Sequence, residues 1–358
     1  MDIASIDKNF ALQGIEGDDI EWFDILEKPF SIHGVLYDEQ EELFLRLPRK
    51  TAQAVSRGVN ILCPMTTGGR VRFTTDSPFV AIKCIAPFYC GALSHMPILG
   101  THGFSVYVNG VFDGKFAPEN FENAKDGVFA FEEKRTFMTA KEGEENLCEL
   151  FFPLYGGVKK LYVGLKKGSV LKEPKPYSVT TPVVFYGSSI TQGCCASRPG
   201  NDYISYLSRW LDCDYVNLGF SGNGKAEPIM IDYLNSLPAS VYVLDYDYNA
   251  ESLEELREHH LPMYERIRSV HKDVPLLFIS KPDLEYDPET YARRDIILET
   301  YNIAKERGDQ NVAFIDGTTL YGDKDRDACA VDTCHPNDLG FYRMAEGIYP
   351  VLKKLLKK

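Results

Sequence analysis

The chain has 358 residues, of which 44% are hydrophobic and 25% charged, and carries a formal net charge of −13 at pH 7. That length suits two domains, and the composition supplies apolar side chains for two cores. The acidic balance argues against nucleic acid or an anionic membrane as a partner and favours a neutral or cationic ligand.

Residues 1–10 show no basic region followed by an apolar run, so no signal peptide is expected. No stretch approaches the ~18 apolar residues of a membrane-spanning helix. The nine cysteines (Cys63, Cys84, Cys90, Cys148, Cys194, Cys195, Cys213, Cys329 and Cys334) are odd in number and contain no C-x-x-C pair. Neither a zinc site nor a disulfide framework is indicated, and no metal or other cofactor is expected. The thiols read as reduced, which suits a cytoplasmic protein.

Residues 1–50 are mixed, with Trp22, Phe23, Phe30, Leu43, Phe44 and Leu45 as apolar anchors. From about 55 to 165 the pattern is that of short strands without convincing helices. Val71 and Phe73 alternate with Arg70, Arg72 and Thr74, and an apolar run over 79–86 follows. Phe104, Val106 and Val108 alternate with Ser105 and Tyr107. Asn109-Gly110 then separates them from Val111-Phe112, a two-residue hairpin signal. Residues 128–131, 147–152 and 161–165 are further candidates. Such a series implies an all-β sandwich, jelly-roll-like in arrangement. Residues 93–103 interrupt it with His95, His102, glycines and a proline. They read as a binding loop or as a plain surface connection.

Residues 166–178 are polar, basic and proline-bearing, a domain boundary that divides the chain into residues 1–175 and 176–358. Beyond it, short apolar runs at 183–186, 215–218, 241–245, 276–280 and 312–316 alternate with helical stretches. One helix carries Tyr203, Tyr206, Leu207 and Trp210 on an apolar face, which places Trp210 in the core. Another covers 252–270, interrupted or restarted at Pro262. A third covers 288–307, with Asp287 as N-cap and Pro288 in the first turn. The last runs from about 338 to 356. Five βα repeats imply an α/β fold, a parallel sheet with helices on both faces.

The first of these strands ends at Gly187 and is followed by Ser188, Ser189 and Gly193. A strand, a tight small-residue turn and a helix put a hydroxyl at the carboxyl end of the sheet, where ligands bind in open α/β folds. The turn also reads as an ordinary βα connection. After the second strand comes Asn217-Leu218-Gly219-Phe220-Ser221-Gly222-Asn223-Gly224, whose glycines let backbone N–H groups approach a ligand. After the third comes Asn249, a side-chain amide suited to donate to an oxyanion. Near the end, Asp332 stands three residues before His335. A serine hydroxyl needs such a base, and the imidazole needs an acceptor to fix its tautomer.

These four blocks (Gly187-Ser188-Ser189-Ile190-Thr191, Ser221-Gly222-Asn223, Tyr248-Asn249-Ala250 and Asp332–His335) resemble the SGNH, or GDSL-type, hydrolase superfamily over roughly residues 180–358. The resemblance implies an SGNH-like three-layer αβα domain with Ser189 as nucleophile, His335 as general base and Asp332 as its orienting partner. It implies an oxyanion hole of the Ser189 and Gly222 N–H groups and the Asn249 side chain. Two departures stand out. Ser188 replaces the usual Asp before the nucleophile, and the Asn249 block lacks the usual glycines and following Asp.

With a β-sandwich in front, the chain resembles bacterial carbohydrate esterases that deacetylate plant-glycan oligosaccharides. Acetylated manno- or xylo-oligosaccharides are the implied substrates. His95, Arg198, Asn201, Asp202, Lys225 and Glu227 are candidates to meet sugar hydroxyls. The alternatives are a glycan-binding protein with an inactive hydrolase domain, and an acyltransferase or lipase-type esterase on the same fold. A cysteine nucleophile (Cys194, Cys195 or Cys334) is a further rival, though no thiol stands at a defined spacing from a base.

Overall fold

Alternation of apolar and polar residues with a period of two makes half-buried strands, and the first half of the chain folds accordingly. The computed structural model describes residues 19–87, 93–122, 124–137, 143–284 and 287–357. The stretch read for a leader and Cys90 lie outside these residues. One antiparallel sheet has the order Ile20–Asp24, Lys160–Lys166, Phe79–Pro87, Val128–Thr136. The other has the order Leu171–Lys172, Arg70–Thr75, Asn146–Phe151, Phe104–Val108, Val111–Phe116, with Ser31–His33 also pairing to Arg70–Thr75. Val71, Phe73, Val80, Ile82, Phe104, Val106, Leu150 and Val163 share one core. The turn at Asn109-Gly110 has φ of 50° and 82°, positive at both central residues as a twisted two-residue hairpin requires.

The Arg70/Arg72 side of that second sheet, which reads as a wet face, is covered. Both arginines are buried. Arg70 pairs with Asp214, donates to the Tyr215 carbonyl and lies 3.6 Å from the Tyr215 ring centroid; Arg72 lies 3.7 Å from that of Tyr177. The sandwich is thus docked on the parallel-sheet half through buried guanidinium groups whose charge is matched by carboxylates and aromatic faces.

The first half also contains helices that its sequence did not suggest. Arg49–Val55 and Arg57–Leu62 meet at Ser56, whose hydroxyl caps the second by accepting from the Val59 N–H at 3.1 Å. They are too short to display a clear 3.6-residue period. Ala52, Val59 and Leu62, with Leu45, Leu47 and Met65, join the same apolar core as Met230 and Leu234 of the second half. A short helix, Ile98–His102, lies within the 93–103 segment. Within 166–178, Leu171–Lys172 pairs with Arg70–Thr75.

The second half forms a five-stranded, wholly parallel sheet in the order Cys213–Gly219, Val179–Gly187, Val241–Asp245, Leu276–Ile279, Val312–Ile315. In chain order this is 2-1-3-4-5, with the switch point at the first strand. Helices Tyr203–Leu211 and Asp338–Leu355 pack together, as do Pro228–Ser236, Leu253–Val270 and Pro288–Glu306 in succession. Pro262 neither interrupts nor restarts its helix. It lies on the exposed side of the helix, while Leu256, His260, Met263 and Ile267 anchor the opposite face. Trp210, expected in the core, is 37% exposed and meets Tyr206 at a tilt and Tyr342 and Tyr349 edge-on, because the helix buries only its Tyr203–Leu207 side deeply. Among the described residues, no helix is long and apolar enough to cross a membrane.

Candidate active site

The serine turn is built from the end of the first strand. Ser188 takes the N-cap of the Ser189–Gln192 helix and its hydroxyl accepts from the Ile190 N–H at 3.2 Å, so the serine that replaces the usual Asp does a cap's work. Gly193, at φ 100°, ends the helix after one turn. Gly187 has no room for a side chain, since a Cβ would stand 2.0 Å from Thr191 Oγ1 and 2.2 Å from the Asp245 carbonyl.

Backbone bonds pull the other strand ends to this turn. The Ser188 N–H donates to the Asp245 carbonyl at 3.1 Å, and the Phe220 N–H to the Gly187 carbonyl at 2.9 Å. The Gly224 N–H donates to Asn249 Oδ1 at 3.1 Å, so the Nδ2 end of that amide is left to donate elsewhere. Gly222 has φ 66° and open space about its α-carbon.

Ser189 Oγ lies 2.9 Å from His335 Nε2, and His335 Nδ1 lies 2.9 Å from Asp332 Oδ2. Asp332 Oδ1 accepts from the N–H groups of Cys334 and His335 at 2.8 and 2.6 Å. Burial pushes the Asp332 carboxyl up, but those N–H groups and the imidazole outweigh it and hold its pKa at about 2. It is therefore an acceptor at any ordinary pH. His335 must then carry its proton on Nδ1 and turn the Nε2 lone pair to the serine. It is the Ser189 hydroxyl that meets His335 Nε2, and the neighbouring Cys334 thiol is pushed up by burial. Cys194 is drawn down to about 6, chiefly by a hydrogen bond from Cys195.

Of the residues expected to meet sugar, only His95 is placed beside this relay, its ring centroid 6.0 Å from that of His335. Arg198 instead bridges to the sandwich, donating to the Tyr107 hydroxyl at 2.8 Å and covering the Phe112 ring at 3.6 Å. Asn201 is buried and donates to Asp338 at 2.8 Å, and Asp202 caps helix Tyr203–Leu211. Lys225 pairs with Glu251, while Glu227 is largely buried at the start of helix Pro228–Ser236, its carboxyl raised by burial. His102 lies in the sandwich core between Phe121 and Phe129.

Other supporting residues had no signal of their own in the chain. Tyr155, from the sandwich half, shares a 2.6 Å hydrogen bond with Ser221, and Gln192 Oε1 accepts from the Ser221 N–H at 3.0 Å. Together they hold the glycine turn from both sides. Asp338 accepts from the Ser197 N–H at 2.8 Å, tying the loop after the serine helix to the segment that carries His335.

Asp245, at the tip of the third strand, is buried and accepts from Thr191 and Tyr203 hydroxyls, both at 3.2 Å. Burial, with the Asp247 charge adding to it, raises its pKa from 3.8 to about 7. Between those two pH values the folded protein keeps a proton that the unfolded chain has lost, so this group's contribution to stability falls as pH rises through that window. Asp245→Asn is expected to remove the decline. Denaturant unfolding should find the variant gaining about 1–3 kcal/mol on wild type between pH 4 and pH 8; parallel pH profiles would refute this.

Residues 180–353 match the family model of GDSL-like lipase/acylhydrolases, and residues 20–171 match that of the N-terminus of SGNH-hydrolase-type esterases. No curated protein matches the chain. Among solved structures, a protein from Bacteroides ovatus ATCC 8483 described as a GDSL-like lipase is 27% identical, with a TM-score of 0.82 over 94% of this chain and 98% of that one. The salicylyl-acyltransferase SsfX3 of a tetracycline biosynthetic pathway is 18% identical, with a TM-score of 0.76 over 95% and 98%. A family two carbohydrate esterase from Cellvibrio japonicus is 11% identical, with a TM-score of 0.60 over 94% and 98%. The last two share the fold and its two-part layout. With the four loops converging on one edge of its sheet, residues 180–353 form an SGNH (GDSL-type) hydrolase domain of the esterase/acylhydrolase kind, and residues 20–171 form the β-rich N-terminal domain that such esterases carry.

Proposed function

We propose that this protein is a serine esterase that removes O-acetyl groups from plant-glycan oligosaccharides, manno- or xylo-oligosaccharides in particular. The observation that carries the reading is the unbroken hydrogen-bonded relay from Ser189 through His335 to Asp332. His335 Nε2 takes the Ser189 proton as Oγ attacks the acetyl carbonyl carbon. Asp332 holds the imidazolium that forms. The Ser189 and Gly222 N–H groups and Asn249 Nδ2 receive the oxyanion. His335 then returns the proton to the departing sugar oxygen, leaving acetyl-Ser189. Water, deprotonated by His335, attacks that ester; His335 returns the proton to Ser189 Oγ as the acyl bond breaks and acetate leaves.

The choice of a sugar ester is supported by the fold shared with carbohydrate esterases that also join a β-rich half to this hydrolase. A second reading, acyl transfer, uses the same acyl-enzyme with an alcohol in place of water. It is favoured by the similarity to the salicylyl-acyltransferase along 95% of the chain.

The test is acetate release from acetylated manno-, xylo- and gluco-oligosaccharides, with and without added acceptor alcohols. Acetate formed in water supports the esterase, and acetyl passed to the acceptor in preference to water supports the transferase. Sugar binding without turnover would support a glycan-binding protein. Asn249→Ala removes one oxyanion donor and is expected to lower kcat by about 10²–10³-fold with KM little changed. A kcat within threefold of wild type would remove Asn249 from the oxyanion hole.

A further inference from the structure

Beside the relay stands a second cluster that the reaction does not use. The ligand-type atoms of His95, Cys194 and Cys195 all lie within 4.8 Å of one another. The two sulfurs are 3.1 Å apart and buried, whereas His95 is exposed. The cysteines are pinned from both sides of the site. The Cys194 N–H donates to the Ser189 carbonyl and the Cys195 N–H to the Pro336 carbonyl, each at 3.0 Å. The pair therefore bridges the serine helix and the segment that bears His335.

We propose that His95, Cys194 and Cys195 form a binding site for a thiophilic d¹⁰ cation such as Zn²⁺, at the edge of the catalytic cleft. Two sulfurs and an imidazole are a borderline-soft donor set, suited to zinc and poorly suited to magnesium or calcium, which take oxygen. A tetrahedral ion about 2.3 Å from each sulfur needs them about 3.8 Å apart, so the pair opens from its 3.1 Å contact as the ion enters. His95, on an exposed turn, is free to swing in as the third ligand and leaves a fourth position open. The balance is simple: both sulfurs bind one Zn²⁺ as thiolates, and each sulfur still protonated releases one H⁺. Adjacent cysteines with a histidine from the other half of the chain escape a search for C-x-x-C spacing, which is why the sequence did not suggest a metal. Because the ion sits where His95 faces His335, occupancy is expected to lower ester hydrolysis. That second claim rests on the proposed relay, whereas binding itself does not.

The experiment titrates the full-length protein, thiols kept reduced, with Co²⁺ and then Zn²⁺. Thiolate-to-Co²⁺ charge-transfer absorption should appear in the near ultraviolet, saturate at one ion per chain and bleach when Zn²⁺ is added. Cys194→Ser and Cys195→Ser should each abolish it. His95→Asn, an exposed change that does not threaten the fold, should weaken binding by at least about tenfold. Cys334→Ser should leave the band intact. Absence of the band in wild type, its persistence in both cysteine variants, or its loss in Cys334→Ser would overturn the ligand set. Zn²⁺ inhibition that is equal in wild type and the Cys194→Ser/Cys195→Ser double variant would overturn the link to the cleft while leaving the esterase reading standing.

Discussion

Ser189→Ala is expected to reduce kcat/KM for acetyl-ester hydrolysis by about 10⁴-fold or more, a loss of at least about 5 kcal/mol of transition-state stabilisation. The argument is local. The Ser189 hydroxyl is half-buried and its hydrogen bond runs to His335 Nε2, so removing it strands no deeply buried partner. Alanine also has the higher helix propensity at the start of the Ser189–Gln192 turn. The fold should therefore persist, with a melting temperature within a few degrees of wild type. Residual activity, where measurable, reports the oxyanion donors acting on water alone. Wild-type acetate release by the variant would mean that another side chain is the nucleophile. The cysteine pair beside the relay would then be the first to test.

Asp332→Asn should lower kcat by about 10²–10⁴-fold while leaving KM near its wild-type value. The carboxylate accepts from two backbone N–H groups and from His335 Nδ1, and all three require an acceptor. An amide offers one oxygen and one NH₂, so it satisfies the backbone only by turning its NH₂ to the imidazole. It then favours the tautomer that carries hydrogen on Nε2, which cannot take the serine proton. Asp332 is 41% exposed at its side chain, so water partly replaces it, which is why the expected range extends down to 10². Steady-state kinetics on one acetylated oligosaccharide settle the matter. A fall below tenfold would show that Asp332 orients nothing the reaction needs.

Several features of the protein were legible in the chain because they depend on neighbours close in sequence. The strand after residue 180, the Asn109-Gly110 hairpin and the Asp287 cap with Pro288 in the first turn are set by local periodicity and backbone preference. The relay was legible for a related reason. Asp332 and His335 lie within one loop, and Ser189 lies at a strand tip that a parallel sheet directs to the same edge.

Other features needed the tertiary structure. Tyr155 reaches Ser221 across 66 residues, and Asp338 reaches Ser197 across 141, so no window of sequence contains both partners. Polar residues after the serine and glycine blocks looked available for a substrate, yet Asn201, Asp202 and Arg198 are spent on a helix, a cap and the sandwich. Arg70 and Arg72 alternate as a wet face would, and only the docking of the two halves buries them against Asp214 and the rings of Tyr215 and Tyr177. The sequence by itself was enough for the βα order of the second half, its parallel sheet and the candidate relay residues, since these rest on local pattern and on the resemblance carried by four short blocks. Which polar groups stay free to meet a ligand, and which cysteines converge with His95, was decided only when distant segments packed, because burial and hydrogen-bond satisfaction are properties of the assembled chain.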